Sequence, residues 1–263
     1  RRRHTRYWRD WSSDVCSSDL QEHSGYSFVD LFSGAGGFSE GFYLTGYKSL
    51  LHVDFDKSSC ITISKRMENY GYDHEDIIKS VLHADLTDIK TKNEISSRLN
   101  SSIKNIDVLV GGPPCQTFSS VGRAQDPNSM KNDPRNYLFL NYLEILHLLK
   151  PKVFVFENVS GLLTAKPNGQ YIFPEIIKRM SKYYNVCDDK EMILLNSIHY
   201  GVPQIRKRVI LIGVRKDQDF QSKDVYNKIR KTHYAPDEIP KKGQTKYVTV
   251  RDAISDLPRL LQN

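Results

Sequence analysis

Short apolar runs alternate with longer amphipathic segments from Tyr26 onward, and this alternation constrains the fold more than any other feature of the sequence. Continuous apolar runs predict buried strands, whereas apolar residues at helical spacing predict helices between them. Strands that alternate with helices favour an α/β fold with a doubly wound, mostly parallel sheet. The predicted strands are residues 27–32, 49–54, 81–85, 107–111, 153–157, 191–195 and 208–214, and the predicted helices are residues 38–44, 57–69, 92–99, 137–149 and 173–182.

The composition favours a polyanionic partner without requiring one. The 263 residues carry 38 Lys and Arg against 31 Asp and Glu, a formal net charge of +7 that suits nucleic-acid phosphates. No apolar run approaches the ~18 residues of a membrane helix, and no apolar stretch follows the N-terminal arginines, so we expect a cytoplasmic protein. The four cysteines are scattered without a C-x-x-C pair, which argues against a zinc site and against a disulfide framework.

A glycine-rich turn, FSGAGG, follows the first predicted strand. Glycines allow positive φ angles and a close approach of the backbone to a ligand. Asp54 lies 20 residues beyond Gly34, a spacing that suits an acid binding ribose hydroxyls, and Phe55 beside it can pack on an adenine ring. Ser39 stands where a dinucleotide motif has its third glycine, so an adenosyl cofactor fits better than a pyrophosphate one. A tight turn without a ligand is the alternative.

Cys115 follows the fourth predicted strand in the sequence GGPPCQ. Two prolines stiffen its approach, and Gln116 and several small residues come after it, a setting that poorly suits a buried packing role. Cysteine nucleophiles react as thiolates, which an electropositive setting favours, and arginines elsewhere in the chain can supply that setting. We therefore interpret Cys115 as a nucleophile, with an inert packed thiol as the alternative.

An acid and a basic run complete the candidate site. Glu157 comes directly after the apolar VFVF, where a carboxyl is costly unless it is paired or meets a ligand. Arg206 and Arg208 stand two apart in QIRKR, so an extended strand turns both toward one side, where guanidinium groups suit phosphates and carbonyl oxygens. Ligands of an open α/β sheet collect at the carboxyl ends of its strands, so we expect one shared site. Taken singly, a salt-bridging acid and a solvated basic strand are the alternatives.

Taken in order, the segments FVDLFSGAGGF, VGGPPCQTFSSVGR, FENVSGL and QIRKRVILIGV resemble the motifs of the carbon-5 DNA cytosine methyltransferase family. The resemblance runs from about residue 28 to residue 258, and the pair Pro-Pro-Cys-Gln and Glu-Asn-Val is highly specific. It implies a Rossmann-like fold and transfer of a methyl group from S-adenosylmethionine to carbon-5 of a cytosine flipped out of double-stranded DNA.

The resemblance also implies a role for each candidate residue. Cys115 adds to carbon-6 of the cytosine, with Gln116 beside it, and Glu157 stabilises the protonated N3. Arg208 holds the cytosine O2, and Arg206 lies near the nucleophile and the DNA backbone. No metal is implied. The cofactor residues that the resemblance implies are Phe32, Ser33, Gly34, Gly36, Asp54, Phe55, Asp85, Leu86 and Pro114.

The domain organisation follows from the same resemblance. Residues 21–216 are expected to form the catalytic domain, and residues 217–263 a connection toward a target-recognition region, with the chain truncated at both ends and little sequence-specific activity on its own. Residues 1–20 lack periodicity and include RDWSSDVCSSDL, which looks like a translated sequencing adapter, so we expect a non-native tail. A monomer associated with the prokaryotic nucleoid is expected, with a cognate restriction endonuclease as a partner.

Four other functions are weighed against this interpretation. An RNA cytosine methyltransferase has a similar catalytic domain, and labelled methyl transfer to duplex DNA and to tRNA separates the two. An amino-group methyltransferase needs Asn/Asp-Pro-Pro-aromatic in place of Pro-Pro-Cys. A nicotinamide dehydrogenase leaves Cys115 and the arginines unexplained. A DNA-binding module with an inactive site predicts binding without cofactor and no covalent adduct with 5-fluorocytosine DNA.

Overall fold

The structure, a computed structural model, describes residues 24–114 and 137–257. The predictions for residues 1–20 and for Cys115 and Gln116 therefore lie outside the described residues. So does the polar, turn-rich stretch 126–135, for which the sequence predicts a mobile loop. An eight-stranded sheet organises the described part of the chain. Its strands are β1 (Ser27–Leu31), β2 (Lys48–Asp54), β3 (Val81–His83), β4 (Val108–Gly111), β5 (Val153–Val159), β6 (Tyr184–Val186), β7 (Leu194–Asn196) and β8 (Lys207–Arg215).

The sheet is mostly parallel. Its strand order is β3-β2-β1-β4-β5-β8-β6, with β7 also paired to β8. Strands β3, β2, β1, β4 and β5 run in parallel, whereas β8 is antiparallel to β5, β6 and β7. The predicted α/β fold with a doubly wound, mostly parallel sheet is confirmed, with one reversed strand inserted between β5 and β6.

Helices cover both faces of the sheet. Side chains along a strand alternate between its two faces, and both faces here carry apolar residues that must be buried. On β1, Phe28 packs with Tyr43 and Ile63 on one face, whereas Val29 packs with the larger core on the other. The helices Ile89–Leu99 and Leu138–Leu149 contribute residues such as Ile95 to that larger core. The helices are α1 (Gly37–Leu44), α2 (Lys57–Asn69), α3 (His74–Ser80), α4 (Ile89–Leu99), α5 (Leu138–Leu149), α6 (Ile172–Met180), α7 (Lys190–Ile193), α8 (Ser222–Lys228) and α9 (Val250–Ile254).

Aspartates fix where three of the helices begin. The carboxylates of Asp56, Asp73 and Asp88 accept a hydrogen bond from a backbone N–H in the first turn of α2, α3 and α4, respectively. Caps of this kind contribute about 1 kcal/mol each. Asp56 and Asp88 thereby set the points at which the chain turns helical after β2 and β3.

Several predicted elements differ from the structure. The predicted strand 191–195 is wrong in its first part, because the Asp189 side chain accepts from the Glu191 N–H and starts helix α7 there. Strand β6 and helices α3, α8 and α9 were not predicted. The predicted connection, residues 217–263, includes helix α8. There the Tyr226 hydroxyl bonds the Ile210 carbonyl and the Ile212 N–H of β8.

The chain also forms a small second sheet after α8. Strands β9 (His233–Tyr234) and β10 (Thr245–Lys246) pair in parallel. Throughout residues 24–114 and 137–257, no helix has the length and apolar character needed to cross a membrane.

Candidate active site

The topology brings those predicted site residues that the structure describes to one edge of the main sheet. The carboxyl ends of β1, β2, β4 and β5 lie at the same edge because these strands are parallel. The antiparallel strand β8 begins at that edge, where Arg208 pairs with Val159 at the end of β5. We call this the carboxyl edge. It is where ligands of open α/β sheets bind.

Glu157 and Arg208 form the central ion pair of this edge. The Nε atom of Arg208 lies 2.8 Å from Oε1 of Glu157, and the Nη2 atom of Arg206 lies 3.9 Å from the same oxygen. Glu157 pairs with Ile210 across the two strands, so Arg208 is its diagonal neighbour on the same face. The Glu157 and Arg208 side chains are 20% and 25% exposed, whereas that of Arg206 is 51% exposed. The three predicted residues are therefore brought together, with Arg206 as the outer member.

The end of β4 lies directly against Glu157. A Cβ atom on Gly112 would stand 3.0 Å from Oε2 of Glu157, so the absence of a side chain there leaves room for the carboxyl group. The buried Asn158 side chain donates from Nδ2 to the Pro113 carbonyl at 3.3 Å. Gly112 and Asn158 were not predicted as site residues, although Asn158 stands beside the predicted acid at a strand end, which is a signal in the sequence.

The predicted nucleophile follows this junction in the chain. Pro113 is buried and Pro114 is half-buried. Cys115 and Gln116 come next and lie outside the described residues, so their assignments stay predictions. The last described residues before them include Gly112, which lies against Glu157, and Pro113, whose carbonyl accepts a hydrogen bond from Asn158.

The glycine turn lies at the same edge, between β1 and α1. Phe32, Gly34 and Gly36 have φ angles of 56°, 52° and 88°. A positive φ is unfavourable for a residue with a side chain such as Phe32, and strain of this kind concentrates at ligand sites. The Gly34 N–H donates to Oδ2 of Asp54 at 2.7 Å, so the turn is tied to the end of β2. A Cβ on Gly34 would meet open space, as expected of a turn that faces a cleft.

The remaining residues that the sequence predicts to bind a cofactor differ in how exposed they are to solvent. Asp54 is almost buried, whereas Phe55 is 69% exposed although it is a large aromatic side chain. Asp85 is exposed, and its Oδ1 accepts from the N–H and the hydroxyl of Thr87. The Leu86 side chain packs in the core, so Leu86 can meet a ligand only through its backbone. Ser33 is also buried, and its N–H donates to the Val53 carbonyl.

A buried polar cluster that was not predicted supports the glycine turn. The Ser39 hydroxyl donates to Oδ2 of Asp30 at 2.6 Å and lies 3.2 Å from Nδ1 of His52. The Tyr43 and Ser49 hydroxyls both lie 2.7 Å from Nε2 of that histidine. Burial raises the pKa of Asp30 to about 7 and lowers the pKa of His52 to about 3. The signal in the sequence was a polar residue inside each of two buried strands.

An S-adenosyl cofactor fits the donors and acceptors of this turn. Each Asp54 oxygen accepts one backbone N–H, from Gly34 or Asp56, and a carboxylate oxygen can accept further bonds from ribose hydroxyls. The exposed Phe55 ring offers an apolar face for adenine. Within the described ranges, no group of three His, Cys, Asp or Glu side chains could hold a metal ion.

A family model named C-5 cytosine-specific DNA methylase matches residues 26–262 of the chain. This range contains the glycine turn, the Pro-Pro-Cys-Gln segment, the acid and both arginines. The chain belongs to this family. The predicted resemblance is thereby confirmed, and membership of the C-5 cytosine-specific DNA methylase family implies a methyl donor.

Individual members of the methylase family are similar over most of the chain. The Type II methyltransferase M.DdeI of Desulfomicrobium norvegicum is 34% identical over 88% of this chain and 48% of its own length. M1.HphI of Haemophilus parahaemolyticus is 35% identical over 89% of this chain and 53% of its length. The chain therefore spans about half the length of these curated relatives. A crystal structure assigned as a prophage-encoded E. coli DNA modification methyltransferase matches with a TM-score of 0.61 and 27% identity, over 90% of this chain and 56% of that one.

Proposed function

We propose that the chain is a DNA (cytosine-5-)-methyltransferase of the Type II restriction-modification class. The observation that carries this proposal is the position of Glu157, which lies 2.8 Å from Arg208. Its Oε2 would be 3.0 Å from a Cβ on Gly112, the residue immediately before Pro113-Pro114-Cys115 in the chain. A carboxyl group can hydrogen-bond N3 and the C4 amine of cytosine, and a guanidinium group can donate to O2. The ring has an acceptor at N3, an amine at C4 and an acceptor at O2.

The chemistry of the cytosine ring sets the task of each residue. The thiolate of Cys115 adds to carbon-6, forming a sulfur–carbon bond as the double bond between carbon-5 and carbon-6 opens. N3 gains a proton through the Glu157 carboxyl group, which then accepts the hydrogen bond from the protonated N3. Arg208 donates to O2, where negative charge develops. Carbon-5 is then nucleophilic. Loss of the carbon-5 proton after methylation breaks the sulfur–carbon bond and releases Cys115.

S-adenosylmethionine, when bound, supplies the electrophilic methyl group. The residues proposed to hold it are those of the glycine turn and the ends of β2 and β3. The Asp54 carboxylate accepts from the ribose hydroxyls, and the Phe55 ring packs on adenine. A Cβ on Gly34 would meet nothing within 4 Å, so this part of the turn is open to a ligand. The members of this proposed set are Phe32, Ser33, Gly34, Gly36, Asp54, Phe55, Asp85, Leu86 and Pro114.

Double-stranded DNA is the proposed substrate. The target cytosine is flipped out of the base stack, because its ring atoms cannot be reached while the base is stacked in the duplex. We also propose a cytoplasmic, nucleoid-associated monomer with a cognate restriction endonuclease. The net charge of +7 supports association with DNA. The Type II names of the relatives support the endonuclease partner.

Methyl transfer from labelled S-adenosylmethionine tests this proposal. The chain is incubated with duplex DNA of mixed sequence and, separately, with tRNA, and the Cys115→Ser variant serves as the control. Label in duplex DNA that is absent with Cys115→Ser is the expected result, and nucleoside digestion should identify it as 5-methylcytosine. Label confined to tRNA supports the RNA methyltransferase alternative, and label on an exocyclic amine contradicts the proposed chemistry.

A further inference from the structure

An exposed basic arm lies beside the candidate active site. The arm is residues 230–246, and it carries five exposed cationic side chains against two acids, Asp237 and Glu238. Strands β9 and β10 pair within it, and the Thr245 N–H donates to the Thr232 carbonyl at 2.9 Å. The five cations are Arg230, Lys231, Lys241, Lys242 and Lys246.

Three contacts attach the arm to the chain segment before the catalytic arginines. The Thr232 N–H donates to the His199 carbonyl at 2.9 Å, and Nε2 of His199 lies 3.1 Å from Oε1 of Glu238. The His233 ring packs on Gly201 so closely that a Cβ there would lie 2.8 Å from it. The arm is thus fixed to residues 199–201.

Residues 199–201 lie at the carboxyl edge of the main sheet. They follow β7, whose last residue, Asn196, pairs with Lys207 at the start of β8. The Ser197 hydroxyl accepts the Arg206 N–H at 3.1 Å, which closes this turn onto the catalytic strand. The basic arm therefore stands at the same edge as Glu157 and Arg208.

The cations of the arm are available to a ligand. Among the described residues, none of the five forms an ion pair, whereas Arg66, Arg98 and Lys152 in the body of the fold each bind a carboxylate. The Glu238 carboxylate is already engaged, because Oε1 contacts His199 and Oε2 accepts the Ala235 N–H.

A tight turn holds the tip of the arm. The Gln244 N–H donates to the Lys241 carbonyl at 3.0 Å, and the Gln244 side chain accepts the Lys241 N–H at 2.9 Å. Gly243 has a φ of 87°, which a residue with a side chain rarely adopts. The turn therefore presents Lys241 and Lys242 side by side.

We propose that the basic arm binds the phosphate backbone of duplex DNA outside the pocket that receives the flipped cytosine. The inference rests on the proposed function, since it takes the DNA substrate as given. Phosphate contacts of this kind fix the register and orientation of a protein on the duplex and carry no sequence information. The arm would hold the duplex while the catalytic edge engages one base.

The salt dependence of duplex binding tests the arm directly. Fluorescence anisotropy with a labelled duplex gives the association constant between roughly 50 and 200 mM salt, the range over which phosphate contacts weaken most visibly. The test variant is Lys241→Gln/Lys242→Gln/Lys246→Gln. The matched control is Lys178→Gln/Lys182→Gln/Lys216→Gln, which removes the same charge from exposed positions on α6 and at the opposite edge of the main sheet. Thermal unfolding confirms that both variants remain folded.

We expect the arm variant to reduce the slope of log K against log salt by about 2 to 3, at ~0.9 per lost phosphate contact. The control variant should leave the slope within ~0.5 of the wild-type slope. Equal slopes for the arm variant and the control, or a wild-type chain that does not bind duplex, overturn the proposal. So does a slope that falls for tRNA and not for duplex. Methyl transfer to DNA is measured separately. If the arm contributes to duplex binding but the chain transfers no methyl group, the proposed function is contradicted and the proposal for the arm is not.

Discussion

Arg208 lies within hydrogen-bonding distance of Glu157 on the neighbouring antiparallel strand, with Nε 2.8 Å from Oε1, whereas Arg206 reaches the same oxygen only at 3.9 Å. Arg208 lies on β8 and Arg206 just before it, and their side chains differ in exposure, 25% against 51%. This difference separates their roles. We propose that Arg208 contacts the cytosine and that Arg206, which is more exposed, contacts the DNA backbone.

Arg208→Ala should lower kcat for methyl transfer by about 100-fold or more, the usual cost of removing a donor to developing charge. Arg206→Ala should change kcat by less than about 10-fold, because exposed ion pairs contribute ~0–1 kcal/mol. Arg206→Ala should instead raise KM for duplex DNA. Steady-state kinetics on both variants measures this. Equal losses of kcat from the two substitutions contradict the assignment.

Gly112→Ala should lower methyl transfer by roughly 10- to 100-fold, because the new methyl group displaces the Glu157 carboxyl and small misplacements in a site are costly. Binding of duplex DNA should change little. Gly41→Ala is the control, since a Cβ there meets nothing within 4 Å. It lies inside helix α1, so it should stabilise the fold by about 0.5–1 kcal/mol. Full activity of Gly112→Ala would show that Glu157 does not depend on this space.

Phe55→Ala should weaken binding of S-adenosylmethionine by roughly tenfold or more, because stacking of a base on an aromatic ring contributes ~1–3 kcal/mol. Stability should hardly change, since the ring is 69% exposed. Isothermal titration calorimetry gives the Kd without any need for catalysis. Ile78→Ala, at a side chain that is 58% exposed on α3, is the matched control. An unaltered Kd for Phe55→Ala places the adenine elsewhere.

The stability of Asp30 and His52 variants should depend on pH in opposite directions. The raised pKa of Asp30, about 7, means that the folded state holds a proton that the unfolded state loses above ~4. This residue therefore makes the free energy of unfolding fall as pH rises from about 4 to 7. The lowered pKa of His52, about 3, means that the unfolded state gains a proton first, so unfolding becomes harder as pH rises to ~6.5.

Asp30→Asn should gain stability relative to the wild type as pH rises from 4 to 7, by at most ~1.4 kcal/mol per pH unit. His52→Gln should lose stability relative to the wild type as pH rises from 4 to 6.5. Urea unfolding at a series of pH values measures both differences. Ser64→Ala, at a hydroxyl on α2 outside the cluster, should give a difference that does not vary with pH. Parallel curves for all the variants would show that neither group titrates abnormally.

The fold was largely predictable because its strands are buried. Runs such as VFVF and RVILIGV have no other stable location than the interior of a sheet, and the structure confirms strands at both. Strand β6, with only three residues at the sheet edge, carries too little apolar pattern to be distinguished from a loop. The segment after Asp189 was misassigned because a single capping side chain, and not the apolar pattern, decides that the chain turns helical there.

The meeting of the acid with the two arginines was predictable from the sequence, whereas the roles proposed for them and for Cys115 stay predictions. An acid at the end of one predicted strand and arginines at the start of another indicated one shared edge of the sheet. Glu157, Arg206 and Arg208 do meet at that edge. The closeness of Gly112 to Oε2 of Glu157 depends on the register between β4 and β5, which no local pattern encodes. The Asp30 and His52 cluster depends in the same way on how β1, β2 and α1 pack.

The central claim is that Cys115 attacks a cytosine that Glu157 activates, and one trapping measurement tests it. Fluorine at carbon-5 cannot leave as a proton, so a duplex containing 5-fluorocytosine at the target positions holds the enzyme at the covalent stage. With S-adenosylmethionine present, we predict a protein–DNA band that survives denaturing electrophoresis, is absent for Cys115→Ser and is at least about 100-fold slower to form for Glu157→Gln. No such band from a folded, DNA-binding chain, or an undiminished band from Cys115→Ser, would contradict the account.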